Sequence, residues 1–305
     1  MTTFSVVVTS YNYCAFVAEA VDSTLAQTRQ PEQVIVIDDG STDGSADLLR
    51  QRYGSDPRVT LLLLTENAGQ LAAFQRGVAE ASADVICFLD ADDRWGPDYL
   101  ARIGEVYDRR SVVDFVLSDV HVFGREHRSI EYANRPMDLG TTVISTYILS
   151  HWSGAPSSAL SLRAPWARRS LDLPAEYLGD WRRAADSCLV LGASIHGARK
   201  YYLPTGNVHY RIHEQNEACS CCRSTDPATL YLGKMRARRL IGYYARVAGV
   251  DESWIELSRD EFKTKPDPTW ADARRYARLS LHSRAPWWNR IEGAVKILAS
   301  WLTSR

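Results

Sequence analysis

The sequence Phe88-Leu89-Asp90-Ala91-Asp92-Asp93-Arg94-Trp95 places three carboxylates within four positions, directly after an apolar run. The residues just before it, Val85–Leu89, are continuously apolar, which is typical of a strand buried on both faces of a sheet. Carboxylates this close repel each other unless a cation lies among them, so the cluster indicates a divalent metal ion. We expect these acids at the carboxyl end of a buried strand, the edge where open α/β sheets bind their ligands.

Strands and helices alternate from the N-terminus to this cluster. The apolar patterns predict strands over 4–9, 33–39, 59–64 and 85–90, and helices over 16–25, 43–53 and 69–81. A helix from Pro97 to about Arg109 and a strand over 114–118 continue the series. This alternation predicts an α/β fold with a doubly wound, mostly parallel sheet flanked by helices.

The second half of the chain has weaker patterns. Residues 120–150 show no clear periodicity and receive no assignment. We predict a strand over 156–162, a short helix opened by Pro165, a helix over 180–191 and extended pieces over 201–204 and 208–212. Residues 214–224 are polar and predict a mobile loop, and helices are expected over 229–248, 270–283 and 287–302.

Composition bounds the class of protein. The chain has 305 residues, 45% of them apolar, and no apolar run approaches the roughly 18 to 20 residues that a membrane-spanning helix needs. We expect a cytoplasmic protein without a signal peptide, with its six cysteines reduced and with no nucleic-acid partner. Residues 226–305 carry 15 Lys and Arg against 9 Asp and Glu, about +6, whereas the rest of the chain is about −7. We therefore divide the chain into a domain over 1–225 and a basic helical extension over 226–305.

Polar residues follow each of the first four strands, and parallel strands bring such residues to one crevice. They are Thr9, Tyr11 and Asn12, then Asp38 and Asp39, then Asn67 and Gly69, then Asp90 to Asp93. An aromatic ring, carboxylates and a metal-binding cluster together suit a nucleoside diphosphate. In this interpretation Tyr11 stacks on the base, Asp39 accepts from a base N–H, one acid holds the ribose and another holds the cation.

The same residues resemble the family 2 glycosyltransferases of GT-A fold. The resemblance is carried in order by Val7-Val8-Thr9-Ser10-Tyr11-Asn12, Gln27-Thr28, Val34-Ile35-Val36-Ile37-Asp38-Asp39-Gly40-Ser41-Thr42-Asp43-Gly44-Ser45, Asn67-Ala68-Gly69-Gln70 and Leu89-Asp90-Ala91-Asp92-Asp93-Arg94-Trp95. It implies inverting transfer of a sugar from a nucleotide diphosphate donor, helped by Mg²⁺ or Mn²⁺. It also implies that Asp90, Ala91 and Asp92 form the donor and metal site, with Asp90 and Asp92 contacting ribose and metal and Asp93 as a stand-in.

Further roles follow from the resemblance. The catalytic base of the family is an Asp at a helix start, usually the second of an acid-Asp pair. That position matches Ala185-Asp186 here, so Asp186 is the expected base and Asp180 the reserve candidate. The segment Tyr210-Arg211-Ile212-His213 with Asn216 resembles the closing segment, whose Arg and His reach toward the diphosphate or metal. Phe74-Gln75-Arg76-Gly77 lacks the usual Arg-Asn pair, and Arg76 is the candidate replacement for its arginine.

Other interpretations of these motifs stay open at this point. A calcium loop starting at Asp38 would need a Glu at its twelfth position, which is Leu49. A zinc site from His209, His213 and the cysteines at 219, 221 and 222 lacks the usual ligand spacing. A non-catalytic nucleotide-sugar-binding or assembly module is the main alternative to an enzyme, because Ala185 replaces an acid. A nucleotidyltransferase lacks a Gly-rich, Lys-bearing phosphate loop here.

The expected partners are a nucleotide-sugar donor and an acceptor that the sequence leaves open among glycan, lipid-linked, protein and small-molecule hydroxyls. A uridine diphosphate sugar is the favoured donor, because Tyr11 and Asp39 suit a pyrimidine. Trp287, Trp288, Ile291, Val295, Leu298 and Trp301 form an amphipathic stripe flanked by Arg284, Arg290 and Lys296. This helix packs on the catalytic domain, forms a dimer seam or lies on the inner face of the membrane.

Overall fold

The computed structural model describes residues 1–214 and 226–303. Its first part alternates strands with helices: β1 (Phe4–Ser10), α1 (Val17–Leu25), β2 (Gln33–Asp38), α2 (Ser45–Tyr53), β3 (Val59–Leu63), α3 (Gln70–Glu80), β4 (Val85–Asp90), β5 (Arg94–Trp95) and α4 (Tyr99–Arg109). The predicted strands and helices of this part are confirmed, with small shifts at their ends.

The remaining elements of the sheets follow. They are β6 (Phe115–Ser118), β7 (Val120–Gly124), β8 (Arg128–Ile130), β9 (Met137–Gly140), α5 (Val143–Leu149), β10 (Leu160–Arg163), α6 (Ala164–Leu171), α7 (Asp186–Ile195), β11 (Lys200–Leu203) and β12 (Val208–Ile212). A short 3-10 turn, Ser157–Ala159, precedes β10.

Eight strands form the central sheet in the order β3-β2-β1-β4-β10-β6-β11-β9. The first four are parallel, and their register sets Thr9 beside Asp90 and Ser10 beside Asp38. Strands β10 and β9 run against the other six, so the sheet is mostly parallel, as predicted. This register brings the polar residues that follow β1, β2 and β4 to one edge.

Helices cover both faces of the parallel strands because these strands are apolar on both sides. Every residue of β1 is buried, and α3 lies close to it at Gly77. A Cβ atom at Gly77 would come within 2.5 Å of Val7 Cγ1, so a larger residue there would push the helix off the sheet.

A smaller, four-stranded sheet with the order β5-β12-β7-β8 lies beside the acid cluster. Strand β5 immediately follows Asp90 to Asp93, and Val208 of β12 pairs with Trp95 of β5. The pairing carries the end of β12, with Arg211, toward the acids. The region over 120–150, which the sequence left unassigned, supplies β7, β8, β9 and α5.

The helix predicted over 180–191 is wrong at its start, since α7 begins at Asp186 and ends at Ile195. Residues 180–184 form turns instead, and Ala184 has a φ of +58°. The predicted strand over 156–162 is likewise shorter, because the 3-10 turn occupies its first residues. Apolar spacing alone did not distinguish these turns from the elements they precede.

Four helices complete the chain: α8 (Pro227–Ala248), α9 (Ser258–Lys263), α10 (Trp270–Leu281) and α11 (Trp287–Thr303). Leu240, Ile241 and Tyr244 of α8 join the large core around the central sheet. A second, small core joins α10 and α11 to Phe262 and to Ile144 of α5. Among the described residues, no helix combines the length and the apolar character needed to cross a membrane.

Candidate active site

Asp90 ends β4 and is held by hydroxyl and amide donors. It accepts hydrogen bonds from Gln70 Nε2 at 3.0 Å, from Thr9 Oγ1 at 3.4 Å and from Ser157 Oγ. Burial, together with repulsion from Asp92 and from Asp186, raises the pKa of Asp90 to about 7, against the lowering effect of the donors. The site therefore favours a proton or a cation on this carboxyl.

Asp93 and Asp92 face two different partners. Asp93 accepts from Ser158 Oγ at 2.6 Å and from the backbone N–H of Arg211 at 2.8 Å. Burial, together with repulsion from Asp92 and Asp90, raises the pKa of Asp93 well above its ordinary value. Asp92 Oδ2 lies 3.1 Å from His213 Nε2. Each of the three carboxylates thus has its own hydrogen-bond partners, and the contact between Asp92 and His213 joins the cluster to the residue that follows β12.

Arg211 connects β12 to the acid cluster. Its Nε donates to the backbone oxygen of Asp92 at 2.8 Å, and its Nη2 contacts Glu19 of α1. The guanidinium also lies over the rings of Phe16 and Phe123, at 4.8 and 4.5 Å from their centroids. A depression of about 460 Å³ opens beside it and is lined by Phe16, Arg125, Arg211 and His213 among others. The predicted closing segment is therefore adjacent to the acids, as far as it is described; Asn216 lies outside the described residues.

The loops after β1 and β2 hold each other. Asn12 has a φ of +57°, accepts from the Thr42 N–H at 2.8 Å and donates its own backbone N–H to Ser41 Oγ at 2.8 Å. Tyr11, just before it, is 45% exposed, so its ring is open to a ligand. This exposure suits the predicted stacking on a base.

Asp39 binds the backbone of the loop after β3, a role that the sequence did not predict. Its two carboxylate oxygens accept the backbone N–H groups of Ala68 at 2.9 Å and Gly69 at 2.7 Å. Gly69 has a φ of +94°, and a Cβ there would lie 2.8 Å from the Cα of Arg182. Asp39 therefore fixes the loop that carries Asn67, and a base N–H would have to share an oxygen that already accepts one bond.

The arginine near this loop is Arg182, which donates to the backbone oxygen of Asn67 at 3.0 Å and also contacts its side chain. Arg76 is exposed on α3. It lies six residues after Gln70, which corresponds to about 9 Å along the helix and away from the crevice edge. Of the two, Arg182 is the closer to the predicted donor pocket.

Asp186 is the first residue of α7 and is partly buried. Burial raises its pKa to about 6, even though the Ser187 N–H at 2.8 Å lowers it. Asp180 differs in its surroundings, because its carboxylate forms an ion pair of 2.7 Å with Arg239 of α8. The carboxylate of Asp180 is thus occupied by Arg239, whereas burial makes the carboxylate of Asp186 more basic, so Asp186 is the better candidate for the base.

Gln70 links these two halves of the site. Its Nε2 donates to Asp90, and its Oε1 accepts the backbone N–H of Ala185 at 3.0 Å. The residue before α7 is thereby tied to the carboxyl at the end of β4. The left-handed conformation of Ala184 turns the chain into this position, a strained geometry for a residue with a side chain.

Within the described ranges, no three His, Cys, Asp or Glu side chains converge closely enough to hold a metal ion by themselves. The carboxylate and imidazole of Asp92 and His213 are chemically suited to Mg²⁺ or Mn²⁺, with further oxygens required from a ligand. The zinc alternative has its cysteines 219, 221 and 222 outside the described residues.

The model of the family described as "Glycosyl transferase family 2" matches residues 5–156, which contain the first four strands and the whole acid cluster. The chain belongs to glycosyltransferase family 2. It is an enzyme of the glycosyltransferase class, and the non-catalytic alternative is set aside.

Proteins with similar sequences are also named as glycosyltransferases or sugar transferases. An uncharacterized glycosyltransferase of Nostoc sp. is 29% identical over 97% of this chain and 88% of its own length. A putative teichuronic acid biosynthesis glycosyltransferase of Bacillus subtilis is 36% identical, and an undecaprenyl-phosphate 4-deoxy-4-formamido-L-arabinose transferase of Pectobacterium carotovorum is 39% identical. These two match 35% and 33% of this chain, which spans only 42% and 32% of their lengths.

Solved structures confirm the fold. Staphylococcus aureus TarS 1–349 in complex with UDP-GlcNAc superposes with a TM-score of 0.58 at 15% identity, covering 99% of this chain and 92% of that one. The same protein in complex with UDP gives a TM-score of 0.57. At this identity the likeness concerns the architecture, which is the GT-A fold predicted from the motifs.

Sequence reasoning missed several residues of the glycosyltransferase site. Gln70 was part of a quoted motif but received no role, and Ser157, Ser158 and Arg182 received none either. All four come from loops or helix starts whose positions depend on tertiary contacts. A signal existed only for Gln70, as the first residue after the turn glycine of a predicted crevice loop.

Proposed function

We propose that this glycosyltransferase moves a sugar, with inversion, from a nucleotide diphosphate donor to an acceptor hydroxyl, with Asp186 as the general base. The observation that carries the proposal is the position of Asp186 at the start of α7, close enough to Asp90 for its charge to raise the pKa of Asp90. One carboxyl would thus face the donor while the other takes the proton of the acceptor, and inversion needs only one such base.

We favour a uridine diphosphate sugar as the donor. Tyr11 is exposed at the end of β1, where a ring can stack on a pyrimidine, and Thr9 and Asn67 supply polar groups on the same edge. TarS, the similar structure, has been solved with UDP and with UDP-GlcNAc. These observations support a uridine nucleotide without choosing among its sugars.

We propose Mg²⁺ or Mn²⁺ as the cofactor, held by Asp92 with His213 and by oxygens of the donor. Asp90 would contact the ribose and complete the ligand set. When bound, such a cation supplies positive charge that stabilises the leaving diphosphate. The chain's own part is to keep Asp92, Asp93 and Arg211 in fixed positions through the bonds between β12 and the acid cluster.

For the acceptor we propose a hydroxyl of a growing cell-surface glycan. Two relatives support this proposal: one is named for teichuronic acid biosynthesis, and the other is named an undecaprenyl-phosphate 4-deoxy-4-formamido-L-arabinose transferase. The acceptor side of the site is the region around α7, since that helix carries the proposed base.

The test compares the wild type with Asp186→Asn and the matched control Asp180→Asn, measuring release of UDP from UDP-sugars in the presence of Mn²⁺. General base catalysis typically contributes about 10²- to 10⁴-fold, so we expect Asp186→Asn to lose at least about 100-fold in rate. Asp180→Asn should retain most activity, because Asp180 is paired with Arg239 rather than placed at the helix start. Equal rates for wild type and Asp186→Asn would dismiss Asp186 as the base.

A further inference from the structure

Helix α11 carries two apolar stripes, and only one of them is buried. Ala294 and Ile297 are buried against α10, and Leu298 and Trp301 pack on the same small core. Trp288, Ile291, Val295 and Leu302 form the second stripe, and each is about half exposed or more, from 49% for Ile291 to 66% for Leu302. At about 100° per residue these four fall within about 60° of one another, so they share one face.

Helix α10 presents a stripe of its own. Trp270 and Leu281 are exposed large apolar residues, and Arg274 and Arg278 are exposed between them. These four positions fall within about 80° around the helix axis. Arg274 lies over the ring of Trp270, with the guanidinium 5.8 Å from its centroid. The stripe therefore combines apolar and cationic groups.

The two stripes share one side of an antiparallel hairpin. Trp270 at the start of α10 meets Trp301 near the end of α11, with ring centroids 4.8 Å apart, and Ser280 Oγ donates to the backbone oxygen of Arg290 at the other end. Viewed along the axis of α10 from its N-terminus, three sides follow one another in the same direction of rotation: the buried side, the side that contacts α11 and the exposed stripe. Because α11 runs in the opposite direction, its residues turn the opposite way, and its exposed stripe falls on the same side.

The charge of this face is positive. Neither Arg274 nor Arg278 forms an ion pair with any residue in the described ranges. Two of the basic residues expected to flank α11 from the sequence are already paired at the surface, Arg284 with Glu252 and Lys296 with Glu292. The third, Arg290, donates to the backbone oxygen of Ala285 and lies off the exposed stripe, at about 100° per residue. The unpaired positive charge of this face thus comes from α10, which sequence reasoning did not associate with it.

We propose that this hairpin face, defined by Trp270, Arg274, Arg278, Leu281, Trp288, Ile291, Val295 and Leu302, docks on an anionic lipid bilayer. A flat helical face with tryptophans and arginines suits the interface, where apolar groups enter the acyl boundary and cations meet lipid phosphates. A symmetric dimer through the same face is disfavoured, because it would bury the arginines against a face whose eight defining residues include no carboxylate to pair with them. The proposal does not depend on the proposed donor or base.

The experiment measures binding of the full chain to vesicles of phosphatidylcholine alone and of phosphatidylcholine with phosphatidylglycerol, by flotation at low and high salt. Three variants are compared: Ile291→Glu with Val295→Glu, Arg274→Gln with Arg278→Gln, and the control Val112→Glu. Val112 is an equally exposed valine, at 62%, between α4 and β6 of the catalytic part. Far-UV circular dichroism and UDP-sugar hydrolysis verify that each variant is folded.

We expect binding to the anionic vesicles only, weakened by salt. The Ile291 and Val295 double variant should bind at least about ten-fold more weakly, since burial of such a side chain is worth more than a factor of ten. The arginine variant should lose about five-fold for each arginine, and Val112→Glu should bind like the wild type.

Any of three results would overturn the proposal: no binding of the wild type to anionic vesicles, equal loss with Val112→Glu, or unchanged binding of the double glutamate variant. Light scattering without lipid is measured in parallel. A dimer that the glutamates at 291 and 295 dissociate would instead assign the face to a second copy of the chain. Loss of hydrolysis with intact vesicle binding would count against the proposed donor chemistry alone.

Discussion

At the scale of single residues, Asp186 is set apart by its partly buried position at the start of a helix. Burial raises its pKa to about 6, so the carboxylate is mostly ionised at neutral pH and still a better base than an exposed aspartate. The proton it must accept comes from an acceptor hydroxyl. Its environment therefore matches the demand on a general base.

The rate of sugar transfer at saturating donor should accordingly fall as the pH is lowered through about 6, because protonated Asp186 cannot accept a proton. The profile of kcat against pH measures this acidic limb. Asp180→Asn should keep the limb in place, whereas Asp186→Glu should shift it while retaining part of the activity. A rate independent of pH between about 5 and 7 would contradict the assignment.

The pair Asp92 and His213 makes a second residue-scale prediction. We expect Mn²⁺ to tighten the binding of UDP to the wild type and to have little effect on Asp92→Ala, because that variant loses a carboxylate ligand. Titration calorimetry with and without EDTA measures the difference. Asp47→Ala, an exposed acid in α2, is the matched control. If Asp92→Ala retains the full response to Mn²⁺, the metal is held elsewhere.

Single residues also show where sequence reasoning stops. The position of the acids at 90 to 93 was predictable, because the apolar strand before them determines where the chain leaves the core. The hydrogen bonds of Asp39 to Ala68 and Gly69 were not, since no local pattern distinguishes a carboxylate that binds a loop from one that binds a base. Arg182 reaches Asn67 from 115 positions away, a separation at which periodicity carries no information.

At the scale of elements, Gln70 joins the first turn of α3 to the start of α7. Its amide can satisfy both neighbours at once, because the N–H side donates to Asp90 and the oxygen accepts from Ala185. The N-cap residue of α7 is Ala185, whose side chain cannot cap the helix, so the bond from Gln70 ties the start of α7 to α3. The link keeps the proposed base at a fixed distance from the donor side.

Replacing Gln70 with Leu or Glu should separate these two roles. Gln70→Leu removes both bonds, so we expect kcat to fall about ten-fold or more through misplacement of Asp186. Gln70→Glu keeps an acceptor for Ala185 but places a carboxylate against Asp90, so we expect donor KM to rise more than kcat falls. Steady-state kinetics measures the split.

Gln75→Glu, on the same helix but bonded to the backbone of Leu171 and Leu173, is the control for general effects on α3. Equal changes of kcat and KM in the Leu and Glu variants of Gln70 would reduce the residue to a packing role. The comparison is informative because both substitutions leave the helical periodicity of α3 intact.

Element boundaries were predictable where the local sequence determines them and were missed where contacts with distant residues do. Strands β1, β2 and β4 were predictable because each is almost entirely buried and therefore mostly apolar. Strand β3, at the edge of the sheet, is half-buried, and its apolar run Leu61–Leu63 was enough to predict it. The start of α7 was not predictable, because residues 180–184 contain apolar and basic residues at helical spacing while their backbone bonds go to α3. Trp181 and Arg182 offer their carbonyl oxygens to the N–H groups of Leu71 and Gln70.

At the scale of the whole molecule, one buried carboxylate contributes three hydrogen bonds to the contact between the C-terminal helices and the central part of the chain. Glu261 of α9 accepts the backbone N–H groups of Ile144 at 2.8 Å and Ser145 at 3.2 Å, and the hydroxyl of Tyr276 at 2.6 Å. The first N–H groups of α5 are thus bound by a carboxylate from the C-terminal extension. Val143 of α5 belongs to the large core and Ile144 belongs to the small one. The two cores share this helix.

Because the cores share α5, we expect the full chain to unfold in a single calorimetric transition. Glu261→Ala should lower the free energy of unfolding by about 3 kcal/mol, since it leaves two buried N–H groups and one hydroxyl without their acceptor. Glu256→Ala, whose exposed carboxylate accepts from the Arg284 N–H, is the matched control. Two resolved transitions in the wild type would mean that the extension is an independent unit. A single transition that Glu261→Ala splits in two would identify this carboxylate as the group that couples the hairpin to the catalytic sheet.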